Sequence, residues 1–328
     1  MRGTGAEMDS AVVAGARAST AQALTGPASG MRPTPPALRQ RLTPLLWIGP
    51  SLLLMLATIV FPIIELVTTS ASDLSRAGIS RGFAGWDNYI RLIDRPSFWP
   101  VVAQTLVWAA LVLSITTVIS LPVASLLNAR FPGRRWVRYA VLVPWAAAAS
   151  VTLMIVKWAV NYYYGAVNIV GTDLGVLPVP IDWLGSAETA WLVLLAACVF
   201  MSVPFTAYVF LAGMSGIPGE LYEAARLDGV GRWGGFVHVT LPLLRPSIAI
   251  AGLLNLIGAF NAFTVIWLLT QGGPGTATDI TSTLMYKLAF RNRDLGASAA
   301  MGVINLLLML AVILVYLWAT RSREEKAA

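Results

Sequence analysis

The chain is poor in charge: only 12% of its 328 residues are Asp, Glu, Lys or Arg, whereas 57% are apolar. A soluble domain carries about 25% charged residues. Half the usual solvating charge is missing, which excludes a soluble globular enzyme, a disordered tail protein and a coiled coil. Cysteine and histidine occur once each, as Cys198 and His238. That excludes a disulfide framework, a zinc cluster and an iron–sulfur site, so no metal is expected. Long stretches without any ionisable Asp, Glu, Lys or Arg are abundant instead. Six reach 18 residues: Leu42–Ile64, Pro96–Ala129, Tyr139–Val156, Thr189–Gly219, Pro246–Thr278 and Leu295–Thr320. A helix crosses the hydrocarbon core with roughly 20 apolar residues. Because lipid offers the backbone no partners, such stretches must be helical. The sequence predicts an all-α polytopic membrane protein with spans near 43–67, 100–126, 137–158, 190–213, 247–270 and 298–320.

The net charge of +7 is read by where the basic residues fall. With the N-terminus inside, the inner segments hold fifteen of them, including Arg130, Arg134, Arg135, Arg138, Arg226, Arg232 and Arg245. The outer segments hold eight: Arg76, Arg81, Arg91, Arg95, Lys157, Lys287, Arg291 and Arg293. Both termini are therefore expected in the cytoplasm, and the charge marks orientation rather than a nucleic-acid partner. Residues 1–41, rich in Ala, Gly, Ser, Thr and Pro, are expected to be a disordered cytoplasmic segment. No apolar stretch with a cleavage site opens the chain, so the first span is expected to be retained. Residues 42–320 form the membrane domain, with an inner loop at 214–246, and 321–328 a cytoplasmic tail.

The predicted spans also lack mid-membrane charge. Glu65 and Lys157 fall only at their outer ends. Proton- and sodium-coupled transporters need ionisable groups there, so energy is expected to come from elsewhere. Neutral hydrogen-bonding groups are present: Gln104, Thr105, Asn255, Asn261, Thr264 and Asn305, with aromatic Tyr208, Phe260 and Trp267. Amides beside aromatic rings suit a neutral sugar or polyol, and Tyr208, Asn255, Phe260 and Asn261 are the candidate pathway residues. The bland alternative is that the amides join helices.

The inner loop carries the strongest signal, Ser215-Gly-Ile-Pro-Gly-Glu-Leu-Tyr-Glu-Ala-Ala-Arg-Leu-Asp-Gly229. Pro218 suits the first turn of a helix. Glu220 and Glu223 favour its positive end, and Gly229 is placed to end it in a left-handed conformation. The result is a helix of about three turns outside the bilayer. A second short amphipathic segment follows, with Trp233, Phe236 and Val237, closed by Leu241-Pro242.

Glu223-Ala224-Ala225, then Gly229, then Val239-Thr-Leu-Pro242 resembles the EAA loop of ABC importer permeases, with Val239 where isoleucine is usual. Leu221 to Gly229 is similar to the sugar-importer branch. Gly85-Trp-Asp-Asn-Tyr-Ile-Arg-Leu92, Gly165-Ala-Val-Asn168, Trp183-Leu184, Leu269-Thr-Gln-Gly-Gly-Pro274 and Tyr286-Lys-Leu-Ala-Phe290 extend the likeness over roughly 43–320. The outer Gly-Gly-Pro segment resembles the larger maltose-type permease subunit. Gly234 and Gly235 depart from the charged residues common there.

The resemblance implies an ABC type I importer permease fold in a bacterial plasma (inner) membrane. It implies a second homologous permease, two ATPase subunits and an extracellular solute-binding protein, with ATP and Mg on the ATPase and no cofactor on this chain. By motif position, Glu223 anchors the ATPase, Ala224 and Ala225 permit close docking, Gly229 makes the bend, and Asp228 belongs to the same coupling set. Leu241 and Pro242 fix the return to the fifth span. The chain itself is then not an enzyme, and its cargo is a sugar or polyol. An importer of glycerol phosphate or a peptide is the alternative within transport. A membrane-embedded glycosyl transferase is the alternative outside it, and would want clustered carboxylates or histidines at the membrane face. Gly272-Gly273-Pro274-Gly275 lacks the Lys-Ser/Thr of a phosphate loop and reads as a turn. His238 has no triad partners, Cys198 reads as an apolar filler, and Trp158 to Tyr164 read as an interfacial belt.

Overall fold

The computed structural model describes residues 48–324. The expected disordered segment 1–41, residues 43–47 of the first predicted span and the end of the tail lie outside them. Contacts divide the chain at Phe61/Pro62. The N-terminal unit contributes the first part of helix α1 (Ile48–Ser70), with one wider, π-helical turn at Leu56–Val60.

The second unit is built on α3 (Phe98–Asn128) and α7 (Ala187–Ser215), which run parallel. Trp108 meets Trp191 near their starts, with ring centroids 5.6 Å apart. Ser120 donates to the Val203 carbonyl at mid-length, and Ala124 packs with Ala207, Phe210 and Met214 near their ends. Small residues let the backbones close in, since helix association in lipid rests on packing rather than on water exclusion. Helix α13 (Leu295–Glu324) completes the long helices. Among the described residues, four helices are long and apolar enough to cross a membrane, namely α1, α3, α7 and α13. A bent pair, α9 (Arg232–Leu243) and α10 (Arg245–Phe260), makes a fifth if counted as one span.

Within the predicted third and fifth spans the helix is interrupted. The third is α4 (Arg134–Ala146) and α5 (Ala149–Ala159), separated by Ala147 and Ala148 in extended conformation. Pro144 has no amide hydrogen for the last turn of α4. The fifth is α10 and α11 (Phe263–Leu269). At the break, the Asn261 side-chain amide donates to the Ile257 carbonyl (3.0 Å), competing with the helix's own backbone for that acceptor.

The expectation of an all-α chain is corrected. Strands β1 (Ser72–Leu74) and β2 (Ser80–Phe83) form an antiparallel ribbon with Ser72 opposite Phe83. Buried Asn88, on α2 (Asp87–Ile93), clamps it by donating to the Ser70 and Ser72 carbonyls at 2.9 Å each. A second asparagine clamp lies on α6 (Ala166–Asp173). Asn168 donates to the Ile181 carbonyl (2.9 Å) and accepts from the Ile181 amide (3.1 Å) and Trp183 Nε1 (2.9 Å). Both clamps fall in segments that carry the family likeness, which gives those segments a folding role. A buried amide that saturates several backbone groups spares them the desolvation cost of standing unpaired.

The Gly-Gly-Pro segment packs on α12 (Thr281–Tyr286), which continues as a π-helical turn through Lys287–Arg291. Asp279, fully buried, pairs with Lys287 (2.6 Å) and accepts from Thr283 Oγ1 (2.8 Å). Gly272 has φ +80°, and a Cβ there would collide with the Asp279 carboxylate. Thr278 Oγ1 donates to the Gly273 carbonyl (2.7 Å). The segment is a turn, with its polar atoms turned inward onto its own chain.

Candidate functional site: the inner loop and the membrane helices

Helix α8 (Gly219–Leu227) has no buried residue. Pro218 is its N-cap, in an extended conformation (φ −59°, ψ 136°), one place before the first turn that the sequence suggested. Asp228 caps the other end, its amide bonding the Ala224 and Arg226 carbonyls. Gly229 then turns the chain with φ +80°. A left-handed residue there costs an ordinary side chain about 1–2 kcal/mol, and the Val230 amide returns to the Ala225 carbonyl at 2.9 Å. This closes α8 as a self-contained rod.

The rod is tied to α9 through Tyr222, whose hydroxyl lies 2.9 Å from Thr240 Oγ1. In α9, Trp233 and Phe236 stack with centroids 5.6 Å apart, and a π-helical turn runs over Phe236–Thr240. The His238 ring nitrogen lies 3.0 Å from the Gly234 carbonyl. Leu241 and Pro242 lead into buried Leu244, after which the axis bends by 66° into α10. Gly213 on α7 lies against Ser247 and Leu244, so the end of the loop is held against α7 by backbone-close packing.

Glu223 and Ala224 face solvent, and Ala225 is half-buried. Beside them the loop exposes Leu227 (90%) and Trp233 (77%). Leu227 carried no role in the sequence reading. Its position just before a helix-ending Asp-Gly was the available signal, because a leucine at the tip of an external helix has nothing of its own chain to cover it.

The four pathway candidates separate. Phe260 is completely buried in the main core with Trp108 and Ile266. Asn255 is buried and donates to Thr206 Oγ1 (2.9 Å), joining α10 to α7. Tyr208 gives its hydroxyl hydrogen to the Arg138 carbonyl (2.7 Å), joining α7 to α4. Asn261 alone is exposed. It lines a cleft of about 630 Å³ with Glu65, Phe263, Ser282, Tyr286 and Phe290. There Ser282 Oγ is buried without a hydrogen-bond partner, and Phe263 stacks on Trp267, over which the Arg291 guanidinium sits at 5.3 Å.

The expected result for the pair of amides follows. Asn255→Ala should lower thermal stability in detergent by about 0.6 kcal/mol, the average for a hydrogen bond between membrane helices. Asn261→Ala should leave the melting temperature unchanged and act on transport alone. Equal melting shifts for both variants would show the two asparagines to be equivalent.

An exposed, self-closed loop helix among long apolar helices defines the class: a mostly helical polytopic membrane protein. Residues 117–324 match the family model for the binding-protein-dependent transport system inner membrane component. The chain is 38% identical to a probable ABC transporter permease of Brucella suis biovar 1, over 88% of its own length and all of the relative's. It is 34% identical to the trehalose/maltose transport system permease protein MalF of Thermococcus litoralis, covering 85% of this chain and 94% of that one. The crystal structure of a bacterial ABC transporter that imports the acidic polysaccharide alginate contains a chain of the same fold. The TM-score is 0.76 at 22% identity, over 87% and 98% of the two chains.

The chain belongs to this permease family. It is a mostly helical, multi-pass inner-membrane subunit of a binding-protein-dependent ABC transporter. It is the transport component and not the ATPase, and the transporter it serves includes a solute-binding protein and an ATPase.

Proposed function

We propose that this permease carries a sugar or related polyol inward, and that ATP-driven movement reaches it through α8. The observation that carries the coupling role is the rod itself. It is closed by Gly229, presents Glu223 outward, and is tied through Tyr222 to α9, after which Leu244 packs against Gly213 of α7. Glu223 anchors the ATPase, Ala224 and Ala225 allow close approach, Asp228 and Gly229 end the rod, and Leu241 and Pro242 set its return. ATP and Mg are bound by the ATPase and not by this chain.

Six crossings with both termini in the cytoplasm fit the geometry, with α4–α5 and α10–α11 each counted as one broken crossing. Supporting this, α4–α5 runs antiparallel to α7: Arg138 lies level with Tyr208, while Val160 packs in the cluster of Val193 and Trp183. The assembly has a second, homologous permease, two ATPase subunits and an extracellular solute-binding protein. The trehalose/maltose relative and the alginate importer, both named for saccharides, support a carbohydrate cargo. So does the cleft at Asn261, which sets an amide, a carboxylate and a free hydroxyl beside aromatic rings.

The test is reconstitution of the full transporter in proteoliposomes, with maltose, trehalose, a dipeptide and glycerol phosphate offered in turn. A saccharide should drive ATP hydrolysis and accumulate inside. Stimulation by the dipeptide or by glycerol phosphate, with none by a saccharide, would reassign the cargo.

A further inference from the structure

The inner-loop end of the bundle carries a second cluster. Arg130, Arg134, Arg135 and Arg138 lie within nine residues, and from Arg95 to Thr172 the sequence contains no Asp or Glu. None of the four pairs with a described carboxylate. They sit at the same end as α8, because α3 and α7 run parallel and both finish there. Arg138 Nη2 donates to the Leu127 carbonyl (3.1 Å), and Arg134 Nη1 reaches the Asn128 and Ala129 carbonyls (3.4 and 3.5 Å). These contacts satisfy the open carbonyl end of α3. A guanidinium has five donor hydrogens, so most remain available. Arg138 Nε is buried without a hydrogen-bond partner, while Arg130 and Arg135 are exposed.

The surroundings are those of a lipid headgroup layer. Trp136 and Tyr139 are exposed and meet edge to face, the amphipathic rings expected at that depth. Along α4, positions 134, 138 and 141 share one face. Val141 lines an apolar groove of about 660 Å³ with Ile119, Val123, Phe200 and Val203. The groove continues past Ala196 into a second one beside α5.

We propose that this face binds an anionic diacyl phospholipid, its phosphate on the arginines and an acyl chain in the groove. Charge decides the class of lipid. Several guanidiniums without a carboxylate partner, at the end of the helices that frame the groove, favour an anionic headgroup over a zwitterionic one, and a fork of donors matches phosphate oxygens.

The test uses the assembled transporter, purified in detergent and examined by native mass spectrometry. It is titrated with phosphatidylglycerol or phosphatidylcholine of identical acyl chains. The complex should retain phosphatidylglycerol in preference. Arg130→Gln with Arg135→Gln, both at exposed positions, should weaken that retention on the order of tenfold and leave phosphatidylcholine unaffected. Ala196→Trp, which fills the groove, should reduce retention of both lipids. Equal retention of the two lipids by the native complex, or unchanged phosphatidylglycerol binding in the double arginine variant, would overturn the proposal. So would a photo-crosslinker at position 196 that captures a helix of the second permease in place of lipid.

Discussion

Glu223→Lys is expected to lower solute-stimulated ATP hydrolysis by the reconstituted transporter by roughly 30-fold or more, with the permease still folded. Glu223 is exposed and makes no hydrogen bond or ion pair with the described residues. Its removal therefore costs the fold little, within about 0.5 kcal/mol as for other surface positions. The effect falls on the interface instead. Truncating one member of a hydrogen-bonded charge pair between proteins costs about 2–5 kcal/mol, and reversing the sign adds repulsion. Glu220→Lys is the control. Glu220 is also exposed and sits in the first turn of α8, where a carboxylate interacts with the helix dipole for about 0.3–1 kcal/mol. That change should leave most of the stimulation intact. Wild-type stimulation in the Glu223 variant would remove the coupling role from this residue.

The second large effect is expected at the Gly272 turn. Asp279→Ala should destabilise the subunit by about 3–5 kcal/mol, because it leaves Lys287 largely buried and without its counter-charge. Burial pushes the Asp279 carboxyl above its ordinary range, and Lys287 and Thr283 draw it back in part. The sign follows from that direction. A raised carboxyl binds its proton more tightly in the folded chain than in the unfolded one. Its contribution to stability is complete below the ordinary value of 3.8 and is lost as pH rises through the folded value.

Lys287→Met removes the opposing charge and should steepen this loss on the alkaline side. Asp279→Asn combined with Lys287→Met should recover most of the stability, since a buried pair replaced as a whole is often neutral. The readout is the reaction of a fluorogenic maleimide with Cys198 on heating. Cys198 is buried and is the sole cysteine of the chain. A double variant less stable than either single one would refute the account of the pair as a desolvated ion pair.

Several features were legible from residue order alone, because their causes are local. Hydrocarbon length and missing charge mark α1, α3, α7 and α13 without reference to any neighbour. Pro218, the two glutamates and Gly229 bound α8 to within a residue, because capping and a left-handed turn are properties of the segment itself. The breaks within the predicted third and fifth spans were hidden. Apolar composition is the same whether a helix is continuous or not, and the Asn261 side chain bonds its own backbone only once the chain is folded.

Which amide joins helices and which stays open was equally beyond the sequence. Asn255 and Asn261 are six residues apart in similar apolar surroundings. Only the packing of α7 brings Thr206 to the first and leaves the second exposed, bonded to its own helix. Asp279 and Lys287 likewise read as two scattered outer charges until the turn at Gly272 folds them together.

Membrane residence and the position of the inner-loop rod were thus set by the chain in order, through the cost of unpaired backbone in lipid and the chemistry of helix ends. The partners of each buried polar group were decided only by tertiary structure, because a hydrogen bond between distant segments depends on which faces meet.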